Sequence, residues 1–220
     1  MTYREFIVLL LVCLIWGLHF IVMKLTVGYT ADPLFYAALR MTLVAIIMLP
    51  WLRWHGKLMK PILGAGLGYG ALNYAFMFPA LKYTTASTAA VMIELYVPFS
   101  IILSMIIFKD KIGRFKILGI TLALLGVIII SFAKPDEAAG PYYLFGVLLM
   151  IGAALSEAVG AVLVKFVRSV GPLQLLSWFA VIGSLVLWPL TIFLESEQLK
   201  AFQPNNRLNF IFALAYSSLL

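Results

Sequence analysis

The sequence predicts an all-α protein that crosses a lipid membrane many times, and three observations predict it. Mean hydropathy is +1.06 while charged residues make up only 11% of the chain, against about a quarter in a soluble domain. Seven uninterrupted apolar stretches fill the 220 residues, and an eighth begins close to the end. Each of the seven holds about 17–24 residues, enough for a helix rising about 1.5 Å per residue to cross a hydrocarbon core of about 30 Å. The charges that remain lie almost entirely in short connections, which leaves no room for a soluble domain.

The first stretch, Phe6–Thr26, follows Arg4 and has the outline of a secretory signal. His19 and Phe20 stand where such a signal needs small residues for cleavage, and the apolar run continues past them, so it reads as a retained first helix. The second, Pro33–Trp51, opens on a proline, a residue well tolerated at the first position of a helix. The third, Pro61–Leu81, contains Gly64-Ala65-Gly66-Leu67-Gly68-Tyr69-Gly70. Gly66-x-Gly68-x-x-Ala71 matches a dinucleotide fingerprint only superficially, because no strand precedes it. Gly64/Gly68 and Gly66/Gly70 are four apart, on shared helical faces where small residues let helices approach closely in lipid, so packing is the preferred reading. Thr85–Phe108 and Ile117–Ala133 are the fourth and fifth stretches. After them comes Lys134–Pro141, with the sequence KPDEAAGP, the most polar and turn-rich connection in the chain. Tyr142–Val164 and Leu173–Leu194 follow, the latter behind Pro172. The last, Leu208–Leu220, is about 20 Å long as a helix and too short to cross.

The charge balance of +7 is distributed as a topology signal. The N-terminus and the connections Trp51–Pro61, Lys109–Lys116 and Lys165–Val170 hold Arg4, Arg53, Lys57, Lys60, Lys109, Lys111, Arg114, Lys116, Lys165 and Arg168, ten of the sixteen basic residues. The alternate connections hold Lys24, Lys82, Lys134, Lys200 and Arg207, diluted by Asp32, Asp136, Glu137, Glu195 and Glu197. Basic excess marks the cytoplasmic side, so the N-terminus is expected inside. The same distribution speaks against nucleic acid as a partner. Cys13 is alone, so neither a disulfide framework nor a metal-ligand set exists. No GxxxxGK[ST] phosphate loop is present, and no cofactor is expected.

The chain is expected to contain two related halves, 1–134 and 141–220. Ile15-Trp16-Gly17-Leu18-His19-Phe20-Ile21-Val22-Met23-Lys24 near the end of the first span corresponds to Ser156-Glu157-Ala158-Val159-Gly160-Ala161-Val162-Leu163-Val164-Lys165 in the sixth. In both, a lysine ends the span, a short loop follows, and a proline opens the next. Five spans precede the polar connection, and because five is odd the second half enters the membrane upside down. Inverted repeats of this kind are characteristic of secondary transporters. Five helices per half predict ten, so the sequence given reads as part of a longer chain that breaks off within an eighth helix.

Ionisable residues inside spans are the sharpest functional signal: His19, Arg40, Glu94 and Glu157. A charge at helix centre costs about 2.5–3.5 kcal/mol on insertion scales, so such groups normally face a cavity or a partner. Counting from helix ends places His19 and Arg40 about 10 Å below the outer surface and Glu94 near the midplane. Glu157 falls nearer the inner side, isolated from any basic residue. An attraction between Arg40 and Glu94, with His19 at compatible depth, is expected to form part of a water-filled pathway. The competing interpretations are a structural ion pair, an Arg40 that snorkels outward, and a His19 bonded to a backbone carbonyl. Trp16, Asn73, Tyr74 and Tyr96 are the polar or aromatic residues placed to assist. Ser87, Thr88, Ser100, Ser156 and Ser177 fit helix packing, and Trp51, Trp54, Trp188, Tyr142 and Tyr143 fit interfacial belts.

The chain resembles the drug/metabolite transporter superfamily and, within it, the EamA family of bacterial permeases. Four stretches carry the resemblance: Trp16-Gly17-Leu18-His19-Phe20; Pro33-Leu34-Phe35 through Ala38-Leu39-Arg40; Ala80-Leu81-Lys82-Tyr83-Thr84-Thr85-Ala86 leading to Pro98; and Lys109-Asp110-Lys111 followed by Leu118-Gly119-Ile120 and Gly126-Val127. Phe108-Lys109-Asp110-Lys111 departs mildly from the family's usual Gly-Glu before a basic residue. Ser156-Glu157-Ala158 stands where the sixth helix commonly has a Ser-Trp-Ala-like motif, a departure that makes Glu157 a candidate substrate or proton determinant particular to this protein. The resemblance implies a ten-helix fold of two inverted five-helix repeats, a central cavity, both termini in the cytoplasm, and ATP-independent export of amino acids or other small metabolites.

The sequence therefore reads as a secondary active transporter of the cytoplasmic membrane that exports small polar metabolites, most of all amino acids or their derivatives, with protons as a candidate coupling ion. Arg40 would hold a substrate carboxylate, and Glu94 or Glu157 an ammonium or a proton. An uptake carrier and a lipid-linked sugar flippase remain alternatives of the same fold. From other classes, an intramembrane enzyme would rest on His19 with Glu94, without an activated nucleophile, and a structural membrane subunit would need no charges facing a cavity. Substrate identity, direction and oligomeric state are not written in these residues.

Overall fold

The computed structural model describes residues 3–29, 31–110, 112–132, 142–196, 198–203 and 207–219. Every regular element among them is helical. In chain order they are α1 (Tyr3–Tyr29), α2 (Pro33–Met48), α3 (Met59–Gly66), a π-helical segment (Leu67–Leu72), α4 (Asn73–Tyr83), α5 (Ala86–Ile93), α6 (Tyr96–Phe108), α7 (Arg114–Phe132), α8 (Tyr143–Val164), α9 (Pro172–Leu194) and α10 (Arg207–Leu219), with short 3₁₀ turns between some of them. Five spans among the described residues are long and apolar enough to cross a membrane: Tyr3–Thr26, Pro33–Trp51, Ala86–Phe108, Tyr143–Val167 and Pro172–Leu194. Met59–Tyr83 is helical without interruption as well, its middle turn widened. The molecule is an all-α membrane protein. The polar connection Lys134–Pro141 lies outside the described residues.

Pro33 and Pro172 both stand at the start of their helices, as their missing N–H and fixed φ allow. α2 packs along α9 and α4 along α8, and the π-helical segment lies against both α8 and α9. Tyr36, Phe78, Leu81, Met150 and Leu187 are buried at the centre of this group. The outward faces of α1 and α7 are apolar and exposed, including Leu9, Leu10, Leu14, Leu118, Leu122 and Ile129; hydrocarbon solvates such surfaces where water would not.

The glycine run makes the centre possible. A Cβ on Gly68 would stand 2.6 Å from the Ser156 carbonyl oxygen, and one on Gly70 would stand 2.1 Å from that of Phe179. From the other side, a Cβ on Gly183 would meet the Gly70 oxygen at 2.2 Å. Backbone touches backbone at these crossings, as the spacing of small residues predicts.

The fourth span departs from expectation. Thr85–Phe108 is not one helix but two, with a turn at Glu94 and Leu95. Pro98 is the physical reason. It has no N–H for the Glu94 carbonyl four residues back, and its ring crowds that position. The Glu94 carbonyl instead accepts from Val97 at 3.1 Å, and the Leu95 N–H donates to Met92 at 3.1 Å.

The connections sort into two ends of the bundle. At one end the Trp178 indole donates to the Arg53 carbonyl at 2.9 Å, and Met59, Ile62, Val167, Val170 and Leu175 form a small separate core. At this end too Lys165 donates to Ser104 at 2.6 Å, and Ser104 to Asp110 at 2.8 Å. At the other, Lys82 pairs with Asp32 at 3.5 Å. Beside that pair, Glu195 beyond the end of α9 accepts from the backbone N–H groups of Leu34 and Phe35, both at 2.8 Å, capping α2 from a distant element. Asp32, at the N-cap position, makes no side-chain capping bond to α2. Lys24 belongs to α1 rather than to a connection, and its ammonium donates to the Leu81 carbonyl near the end of α4.

Two of the expected interfacial aromatics are structural instead. Tyr143 is buried and donates to the Ile130 carbonyl at 3.2 Å; the half-buried Trp188 donates to Thr42 at 2.9 Å. Trp51, Trp54 and Tyr142 are exposed.

Candidate functional site

Seven parts of the chain meet at one cavity of about 290 Å³. α1 contributes Trp16, His19, Phe20 and Met23, spaced at three and four residues so that one helical face carries all of them. α2 contributes Arg40, the π-helical segment Tyr69, and α4 Asn73, Tyr74 and Met77. Ile93 and Glu94 arrive from the end of α5, Tyr96 from the start of α6, and Glu157 from the middle of α8. The eight residues singled out in the sequence — Trp16, His19, Arg40, Asn73, Tyr74, Glu94, Tyr96 and Glu157 — all line it.

Each charged group has a definable situation. The Arg40 Nε donates to the Ser217 carbonyl of α10 at 2.8 Å, and its guanidinium carbon lies 5.3 Å from the centre of the Tyr74 ring. It therefore neither snorkels to the surface nor forms an ion pair with Glu94. Glu94 stands where α5 ends, so the turn imposed by Pro98 brings a carboxylate and loosened backbone to the same level of the membrane. Non-helical backbone at such depth is tolerated where it lines a cavity.

Glu157, expected to be isolated from any basic residue, lines the same cavity as Arg40. It shares the cavity with Glu94, and its Oε2 accepts from Asn73 Nδ2 at 3.0 Å. Asn73 also donates to the Ala153 carbonyl at 3.2 Å, which fixes the amide between α4 and α8. His19 does not hydrogen-bond a carbonyl: its Nδ1 is buried without a hydrogen-bond partner, and its ring lies 6.3 Å from that of Tyr216.

Tyr69 was not foreseen. It stacks on Phe179 at 5.5 Å between ring centres, and its signal was present, since Tyr69, Asn73 and Met77 recur every fourth residue. The role of Ser217 had no signal, because it acts through its backbone carbonyl. A second cavity of about 310 Å³ lies between α2, α9 and α10 and shares Arg40, Tyr69 and Tyr74 with the first. Those three side chains are the partition between the two spaces. Ser100, Ser156 and Ser177 bond carbonyls of their own helices, in keeping with packing. Among the described residues no group of three or more His, Cys, Asp or Glu is arranged to hold a metal ion.

Residues 4–132 match the EamA-like transporter family. The chain is similar to proteins named probable amino-acid metabolite efflux pump in Salmonella typhimurium, at 28% identity over 89% of this chain and 66% of the relative, and in Escherichia coli, at 27% over 90% and 67%. It is also 30% identical to an uncharacterized transporter of Archaeoglobus fulgidus over 84% of this chain and 67% of that one. The chain spans about two thirds of the length of these relatives.

Proposed function

The chain belongs to the EamA-like transporter family, and from that premise we propose that it exports amino acids or amino-acid derivatives across the cytoplasmic membrane by secondary active transport. Its family and relatives are transporters rather than enzymes, so the acid/base reading of His19 with Glu94 is set aside. One observation carries the proposal: polar and ionisable side chains from five apolar spans converge on one cavity instead of being dispersed or paired off. Each costs free energy to place in a membrane, and a polar substrate is the occupant that offsets it. The cavity's size, near the lower end of small-molecule sites, suits a metabolite better than a lipid-linked sugar.

In this reading Arg40 pairs with the substrate carboxylate through the guanidinium nitrogens that Ser217 leaves over. Glu94 or Glu157 takes the ammonium, or a proton that drives exchange. The two halves, 1–134 and 141–220, act as inverted repeats that rock about the cavity, with the Lys57 and Lys165 end in the cytoplasm. The grouping of the basic connections at one end of the bundle supports that orientation.

The test is counterflow in proteoliposomes containing the protein made from its full reading frame. Labelled amino acid should accumulate against an unlabelled internal pool, and R40L should lower the rate at least tenfold at unchanged yield of monodisperse protein. Absence of counterflow for any amino acid or derivative across a broad panel overturns the proposal.

A further inference from the structure

The cavity holds two carboxyl groups and one fixed cation, Arg40. Glu94 and Glu157 both face the cavity, and neither forms an ion pair with Lys, Arg or His within 4.0 Å; the one ion pair found among the described residues, Lys82 with Asp32, lies at the end of the bundle. Asn73 gives Glu157 a single hydrogen bond. The Glu94 side chain takes none, because the bond from Val97 goes to its backbone carbonyl. Arg40 is the only lining residue with a fixed positive charge, and it is engaged by the Ser217 carbonyl and the Tyr74 ring. When bound cations hold both carboxylates ionised and His19 is neutral, the lining itself carries one net negative charge.

Aromatic side chains supply much of the remaining lining: Trp16, Tyr69, Tyr74 and Tyr96. The faces of aromatic rings attract cations, more strongly once desolvated. Low dielectric strengthens every charge interaction inside the cavity. A neutral amino acid has one ammonium, and so would leave one carboxylate unanswered.

We infer that the cavity is selective for dibasic amino acids, whose carboxylate meets Arg40 while the two cationic groups meet Glu94 and Glu157. Charge then matches group for group. A diamine lacks the anion for Arg40, and a neutral amino acid lacks the second cation. The inference rests on the amino-acid export reading and narrows its substrate. It also assigns Glu94 and Glu157 jointly to specificity, with Asn73 holding the Glu157 carboxylate in place.

Counterflow at fixed pH in the same proteoliposomes tests it with lysine, arginine, alanine, glutamine and cadaverine as labelled probes. The expected result is lysine and arginine moving at least tenfold faster than alanine, glutamine or cadaverine. E94Q and E157Q should each reduce the lysine-to-alanine rate ratio at least fivefold, and E94D, which keeps the charge, should retain most of it. Three results overturn the inference while leaving amino-acid export intact. One is neutral amino acids moving as fast as lysine. Another is both Glu→Gln variants slowing all substrates equally, the mark of carboxylates that carry only protons. The third is cadaverine moving as fast as lysine. If either Glu→Gln variant is not monodisperse, the wild-type rate ratios and E94D decide the question alone. No movement of any amino acid defeats the broader reading first.

Discussion

Arg40 and Gly70 illustrate two kinds of residue that a membrane core cannot easily replace. Arg40 lies on a buried face of α2 and reaches the partition between two cavities, where one bond to Ser217 and the Tyr74 ring hold it. Because it makes no ion pair with Glu94, adding a Glu94→Gln change to R40L is expected to restore nothing; a structural pair removed whole would often be tolerated. Counterflow of the double variant at or below that of R40L is the expected measurement. Gly70 is constrained by space rather than charge. Its added Cβ would meet a backbone oxygen of α9 at 2.1 Å, and that of Gly183 would meet the Gly70 oxygen at 2.2 Å. Backbone cannot rotate away, so G70A and G183A should each destabilise the protein by about 1–3 kcal/mol, the cost of overpacking. Gly17 has open space around it, and G17A should leave thermal melting in detergent essentially unchanged. Eight of the residues that line the cavity stood out in the sequence, since an ionisable or polar group in an apolar span must be accounted for. The partners did not, because the Ser217 carbonyl and the Asn73–Glu157 bond depend on how distant helices meet.

At the scale of elements, Glu195 joins α9 to the start of α2. Its carboxylate accepts from Leu34, Phe35 and Thr191, so orphan N–H groups of a helix N-terminus are satisfied from 160 residues away. Burial pushes this carboxyl above its ordinary value of 4.5, against the opposing hydrogen bonds from Thr191, Leu34 and Phe35 and with a smaller push from Asp32. A carboxyl raised in the folded state binds more protons there than in the unfolded chain, so its contribution to stability is full below 4.5 and declines as pH rises through the raised value. The melting temperature of wild type relative to E195Q should therefore fall as pH is raised across that window; a difference independent of pH would contradict it. E195A, which removes the cap outright, should melt lower than E195Q at every pH. None of this was visible in the sequence, where Glu195 counted only as an acidic residue in a connection. The break in the fourth span was closer to view. Pro98 stood in plain sight, but its apolar surroundings concealed that the helix gives way to a turn four residues before it.

For the whole molecule, the positions of the apolar segments followed from hydropathy, because length and apolarity are what a bilayer asks of a span, but the division of the fourth into two helices did not. The sorting of connections also matched, in that the loops grouped by charge meet at common ends of the bundle. Which end faces the cytoplasm is open to a direct measurement. With Cys13 replaced by Ser, a cysteine at Lys57 should be shielded from an impermeant thiol reagent in intact cells and one at Lys82 should react; the reverse pattern inverts the topology. The turn at Glu94 and Leu95 also has a mechanical meaning. An unbroken span is a rigid rod, so tilting one end swings the other. α5, at eight residues and about 12 Å, is instead a short arm pivoted at the depth of the cavity. α6, by contrast, is tied at its far end to the end of α8 through Ser104 and Lys165. The two halves of the span are thereby held by separate contacts, so the tilt of one is not set by the tilt of the other.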